Sequence, residues 1–224
     1  MPDGARHLAH IELILHELRT PVNVAAGSIA QLLEAESGDL TDSQQTIVLR
    51  AQRACAQLEQ ITEDLRDWVQ LASGAPLLSP TPLRPALETA ARAAEATRRE
   101  AVRVSLPEGL GQEWRVPTPA GLLERALTGV LTACVRTAPD RTSVPVVLNA
   151  DLDGRTIELI VGAMAADNHR GPFDAERMGG LGFALPLARA IIEASGGRVW
   201  SSAAGGRVTG IGVHLPAERP TARG

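Results

Sequence analysis

Apolar residues recur through the first part of the chain at Leu8, Ile11, Leu15, Leu18, Val22, Ala25, Ile29 and Leu32. Steps of three and four alternate without a miss, as in the seam of a helix packed against other helices. The spacing predicts one helix over residues 4–36. Ser37-Gly38-Asp39-Leu40 interrupts the rhythm, and Thr41 or Asp42 can cap a second helix. That helix has its own seam at Ile47, Ala51, Ala54, Leu58, Ile61, Leu65, Trp68 and Ala72. Two such helices joined by a short loop form an antiparallel hairpin. One hairpin leaves apolar surface bare, and a second copy closes it into a four-helix bundle. The pattern itself therefore points to a homodimer through residues 4–72.

Ser73 to Pro82 reads SGAPLLSPTP, a run of breakers expected to link two domains, residues 1–74 and 83–217. Beyond it the rhythm changes. Helices are expected at 83–103, 122–136 and 182–195, with β-like runs at 144–151, 156–163, 198–202 and 207–215. The expected fold is thus an all-α hairpin followed by an α+β sandwich, one sheet with helices on one face.

Composition narrows the chemistry. The 44% hydrophobic and 21% charged content of the 224 residues is that of an ordinary globular chain. A net charge of −4 gives no general attraction to nucleic acid or to an anionic membrane. No window approaches 18 uninterrupted apolar residues, and Met1-Pro2-Asp3-Gly4 lacks the layout of a signal peptide, so a cytoplasmic chain is expected. Cys55 and Cys134 are too few for a disulfide framework and lack metal spacing; both fall in helical patterns as small apolar residues. His7 and His10 have no evident third ligand, and no metal site is expected. Every basic residue is Arg, which removes any lysine nucleophile or phosphate-loop lysine.

The candidate reaction centre is His16-Glu17-Leu18-Arg19-Thr20-Pro21, set inside the first seam. His16 follows the seam residue Leu15 and falls on the flank of the bundle, with Thr20 four residues on along the same side. A neutral imidazole is a competent nucleophile towards phosphorus, and a carboxylate that takes its proton raises that competence. Adjacent helical residues point about 100° apart, so Glu17 has to swing its side chain to do this. A His-Glu pair alone is also common on solvated helices.

The whole box, HELRTP in a perfect heptad near the start of a hairpin, closely resembles the dimerisation and phosphoacceptor domain of bacterial sensor histidine kinases, over about residues 4–72. The resemblance implies His16 as phosphoryl carrier and Glu17 as proton acceptor. It implies that Thr20 positions water when an aspartyl-phosphate partner is dephosphorylated. Residues 83–217 resemble the catalytic ATP-binding domain that follows in those kinases. Gly180-Leu-Gly182-Phe-Ala-Leu185 is like the family's GLGLAI turn, and Gly206 to Pro216 is like its closing hairpin.

The ATP chemistry implied by that resemblance needs more than glycines. Magnesium takes hard oxygen ligands, supplied in the family by an asparagine in a helix of the form NLxxNA. The matching stretch here, Gly129 to Cys134, has Gly129 and Ala133 in place of both asparagines. The family's adenine-binding aspartate aligns with Ala163, or alternatively with Asp167-Asn168. Residues 164–179 are short for the nucleotide lid.

ATP binding is therefore expected to be lost, with no cofactor and Gly180 and Gly182 vestigial. The expected role is phosphotransfer on His16 between response-regulator receiver domains, which bring their own aspartate and Mg²⁺. The alternatives are a sensor kinase core that autophosphorylates His16 from ATP and Mg²⁺ at a divergent site, a non-catalytic pseudokinase binding module, or a receiver phosphatase acting through Thr20.

Overall fold

Heptad spacing builds the first unit. In the computed structural model, helix α1 spans Pro2–Leu33 and α2 spans Asp42–Ala72, and the two pack against each other. The structure describes residues 2–33, 40–72, 80–98, 102–106, 108–109, 113–151, 155–163, 170–172, 184–204 and 207–219. It divides into two units, Met1–Ala75 and Pro76–Gly224.

Thr41, of the two capping candidates, starts α2 through a capping box. The Thr41 amide donates to Gln44 Oε1 at 2.9 Å, and the Gln44 amide donates back to Thr41 Oγ1 at 3.3 Å. Two amides that the helix start leaves without partners are satisfied reciprocally.

The α1 seam splits into two rows. Leu15 is buried and Val22 and Ile29 are half-buried, whereas Leu18, Ala25 and Leu32 are exposed. In α2 the row turned to α1 is displaced by one residue from part of the expected seam. Cys55 and Val69 are buried, Val48 and Thr62 half-buried, while Ile47, Leu58, Ile61 and Trp68 remain exposed. The inner row includes a small thiol and a threonine, so a search for large apolar residues finds the outer one first.

The second unit is an α+β sandwich. A six-stranded sheet has the order β2-β4-β5-β8-β7-β6. Its strands are β2 (Val102–Ser105), β4 (Thr142–Ala150), β5 (Thr156–Gly162), β6 (Arg170–Pro172), β7 (Arg198–Ala204) and β8 (Arg207–Pro216). Among the described strands β2 and β4 run parallel and the other neighbours are antiparallel.

Alternation sorts the strand residues by face. Ile157, Leu159 and Val161 of β5 and Ile211, Val213 and Leu215 of β8 are buried. The apolar faces of α3 (Leu83–Ala96), α4 (Ala120–Thr137) and α5 (Ala184–Ala194) pack on the sheet, burying Leu87, Leu127, Leu131, Ile191 and Ile192.

Two expectations are corrected in this unit. Pro80–Pro82, read as the end of a linker, forms strand β1, which pairs antiparallel with β3 (Arg115–Pro117). Prolines at three of its six positions donate no amide, which suits a two-stranded ribbon and hides the strand from pattern reading. The helix expected over 83–103 ends at Ala96, because the helical apolar spacing stops at Ala94. Val102 then pairs in β2 with Thr142. Between them Arg98 donates to the carbonyls of Arg136 and Ala138 at 3.1 and 3.0 Å, capping the last turn of α4.

Candidate functional site

Helix α1 carries the HELRTP box and continues through Pro21 without ending. Leu18, Arg19, Thr20 and Pro21 are exposed. His16 and Glu17 lie on the α1 backbone, and their side chains fall outside the described residues. Helical periodicity places positions 16, 20 and 23 on one flank and the exposed row 18, 25 and 32 on the opposite flank. Thr20 is thus open to an approaching partner on the His16 flank.

A cavity of about 170 Å³ opens between α1 and α2 just beyond the box, lined by Arg19, Val22, Asn23, Glu59, Thr62 and Glu63. Thr62 Oγ1 donates to the Glu59 carbonyl at 2.7 Å. Asn23, Glu59 and Glu63 were not marked by the motif. Asn23 lies seven residues past His16, and the two glutamates come opposite only through the antiparallel pairing of the helices.

In the second unit, α4 carries the two positions that match the asparagines. Ala133 is 0% exposed. At Gly129 a Cβ would stand 3.0 Å from the Ala184 carbonyl oxygen and 3.2 Å from the Ala188 methyl, so α5 rests directly on that face of α4. Ala163 follows β5 and donates its amide to the Thr209 carbonyl at 2.9 Å. Gly162 just before it has φ +88°, and a Cβ there would come 2.5 Å from the same carbonyl oxygen.

Gly129, Ala133 and Ala163 provide no side-chain oxygen, so these positions do not fit a magnesium–nucleotide pair. Among the described residues no group of three or more His, Cys, Asp and Glu is placed to hold a metal. Asp167, Asn168, Gly180 and Gly182 lie outside the described residues.

The cysteines are both buried. Burial pushes the Cys134 thiol up to about 12, against a smaller lowering by a backbone hydrogen bond at Ile211. Its Sγ lies 3.5 Å from the Val161 carbonyl. A thiol held in that form is a packing group and not a nucleophile.

Residues 10–74 match the family model of the His Kinase A (phospho-acceptor) domain, a stretch that includes the box. Sensor protein KdpD of Mycobacterium tuberculosis is 24% identical over 226 residues, an overlap of 94% of this chain and 26% of that protein. The chain thus spans about a quarter of the length of that curated relative. Among solved structures, full-length ShkA in complex with AMPPNP is similar with a TM-score of 0.67 and 21% identity, over 96% of this chain and 47% of that one. Acinetobacter baumannii histidine kinase AdeS is similar with a TM-score of 0.53 and 16% identity, over 90% and 97%. These structural likenesses show the fold of both units. No described helix is long and apolar enough to cross a membrane.

Proposed function

We propose that this chain is a histidine kinase-type core, with a phospho-acceptor domain followed by an ATPase-type fold, and that it relays phosphoryl groups without using ATP. His16 takes the group from the aspartyl phosphate of one response-regulator receiver domain and passes it to another. The observation that carries this reading is the pairing of an intact HELRTP box with an α4 face that has lost both oxygen ligands. Gly129 and Ala133 stand at those positions, one packed against α5 and the other fully buried.

The chemistry needs little from this chain beyond positioning. An imidazole nitrogen of His16 attacks phosphorus in line; the N–P bond forms as the acyl-phosphate P–O bond breaks, and the receiver carboxylate leaves with its electron pair. Glu17 accepts the imidazole proton. The receiver supplies the Mg²⁺ that offsets charge on the transferring group. The reverse sequence delivers the group onward, and Thr20 orients water where the aspartyl phosphate is hydrolysed instead.

The hairpin acts as a homodimer in this reading. Leu18, Leu32, Ile47, Leu58, Ile61 and Trp68 are large apolar residues exposed on the single hairpin at seam positions. A second copy related by a two-fold axis covers them and builds the four-helix bundle.

The test uses the purified chain, a His16→Gln variant, and receiver domains from the same genome phosphorylated with radiolabelled acetyl phosphate. Transfer of label to the unaltered chain, its absence in His16→Gln, and no labelling from radiolabelled ATP with Mg²⁺ are the expected results. Labelling of His16 from ATP refutes the relay. It would establish the second reading, a sensor kinase that autophosphorylates, which the fold shared with ShkA and AdeS favours.

A further inference from the structure

Small residues lie where α4 and α5 approach. Gly129 and Ala133 lie four apart on α4, and Ala184 and Ala188 lie four apart on α5. The Gly129 face rests on the Ala184 carbonyl and the Ala188 methyl. Residues on both sides of this seam are buried, with Val130 and Ala133 at 0% exposure and Leu185 and Ala188 buried. Helix axes pack 8–10 Å apart according to the bulk of the residues between them, and small residues permit the close end of that range.

We infer that the second unit has exchanged its nucleotide pocket for a helix-packing seam, with Gly129 as the residue that lets α5 close onto α4. The inference rests on the relay reading and extends it. ATP binding was lost through a change of packing, and restoring the two oxygen ligands does not recover it. A Cβ at position 129 already requires Ala184 or Ala188 to give by a few tenths of an ångström. A full carboxamide requires α5 to move away, uncovering its buried face.

A glycine on the same helix provides the control. Alanine is a far better helix former than glycine, so Gly→Ala inside a helix ordinarily raises stability. At Gly121 a Cβ has nothing within 4 Å, and Gly121→Ala raises the Tm. At Gly129 the seam reverses the sign, and Gly129→Ala lowers it. The second measurement titrates AMPPNP with Mg²⁺ into the unaltered chain and into the Gly129→Asn/Ala133→Asn double variant by calorimetry.

The expected result is no saturable binding in either protein. Should the double variant not fold, the opposite Tm shifts of Gly121→Ala and Gly129→Ala still decide the packing argument. A Gly129→Ala chain that melts at or above the unaltered temperature overturns the inference. Binding by the double variant but not by the unaltered chain overturns this inference and leaves the relay standing. Micromolar binding by the unaltered chain refutes the relay itself, and this inference with it.

Discussion

Truncation of Leu58 to alanine is the most direct probe of the proposed dimer. Leu58 sits mid-way along α2 and is 49% exposed on the single hairpin. Leu→Ala removes the equivalent of three methylenes, about 0.8 kcal/mol each when fully buried. With half of the side chain left for a partner to cover, the loss is roughly 1.2 kcal/mol per protomer. A two-fold interface contains the residue twice, so the dimer loses about 2.4 kcal/mol, which raises its Kd roughly 50-fold. Alanine is the best helix former, so the helix itself gains nothing disruptive from the change. Sedimentation equilibrium over a concentration series reads the Kd, and far-UV circular dichroism at high concentration checks that helicity is retained. A Kd within twofold of the unaltered chain, with superimposable spectra, would show that the exposed seam is not the dimer face.

Two further outcomes follow from other parts of the structure. Thr41→Ala removes the hydroxyl that accepts from the Gln44 amide and donates to Gln44 Oε1 and is expected to cost about 1 kcal/mol, lowering the urea midpoint of the helical signal; an unchanged midpoint would show that the cap contributes nothing. Cys134 gives a pH dependence of definite sign, since its folded-state value, about 12, lies above its ordinary 9.0. Its contribution is complete below pH 9 and is lost as pH rises from 9 towards 12, because the unfolded chain releases the thiol proton first. The chain contains neither Lys nor Tyr, so few other groups titrate in that window. Urea midpoints from pH 8 to 10.5 should fall in the unaltered chain and fall less in Cys134→Ala; parallel slopes would refute the assignment.

The hairpin was legible because a heptad repeated over eight positions per helix leaves little room for another fold. The inner α2 row was less so, since Thr62 is polar and Cys55 small, and only the pairing of the helices distinguishes their side from that of Ile47 and Ile61. Long strands such as β5 showed themselves through alternation. Strands β1, β2, β3 and β6 have only three or four residues, too few for a period of two to register, and prolines in three of them mask it further. The overrun of α3 has a similar origin: Arg98, Arg99 and Glu100 favour helix locally, whereas Val102 is claimed by pairing with β4.

At the candidate site the chemistry was easier to read than the packing. HELRTP announces its residues as a string. The substitutions at Gly129 and Ala133 were equally visible, but Ala184 and Ala188, which pack on Gly129, lie more than fifty residues further on. Nothing local to α4 says that a helix rests there. The polar cavity beside Arg19 was hidden for the same reason, since Glu59 and Glu63 line it together with Asn23 only through helix pairing.

The position of β8 governs the order in which the chain can assemble. Of the six described strands this one is made last, yet it stands fourth in the sheet, between β5 and β7. Until Pro216 has left the ribosome the sheet has two unjoined parts, and the strands flanking the gap present open edges. The hairpin closes from contacts within the first 72 residues, and helical pairs of that kind form fast. A ribosome that stalls before Pro216 therefore carries a completed hairpin attached to an α/β unit that cannot close. Loss of the last strand would do more than trim an edge: it would separate β5 from β7 and leave the cores on either side of β8 open to aggregation.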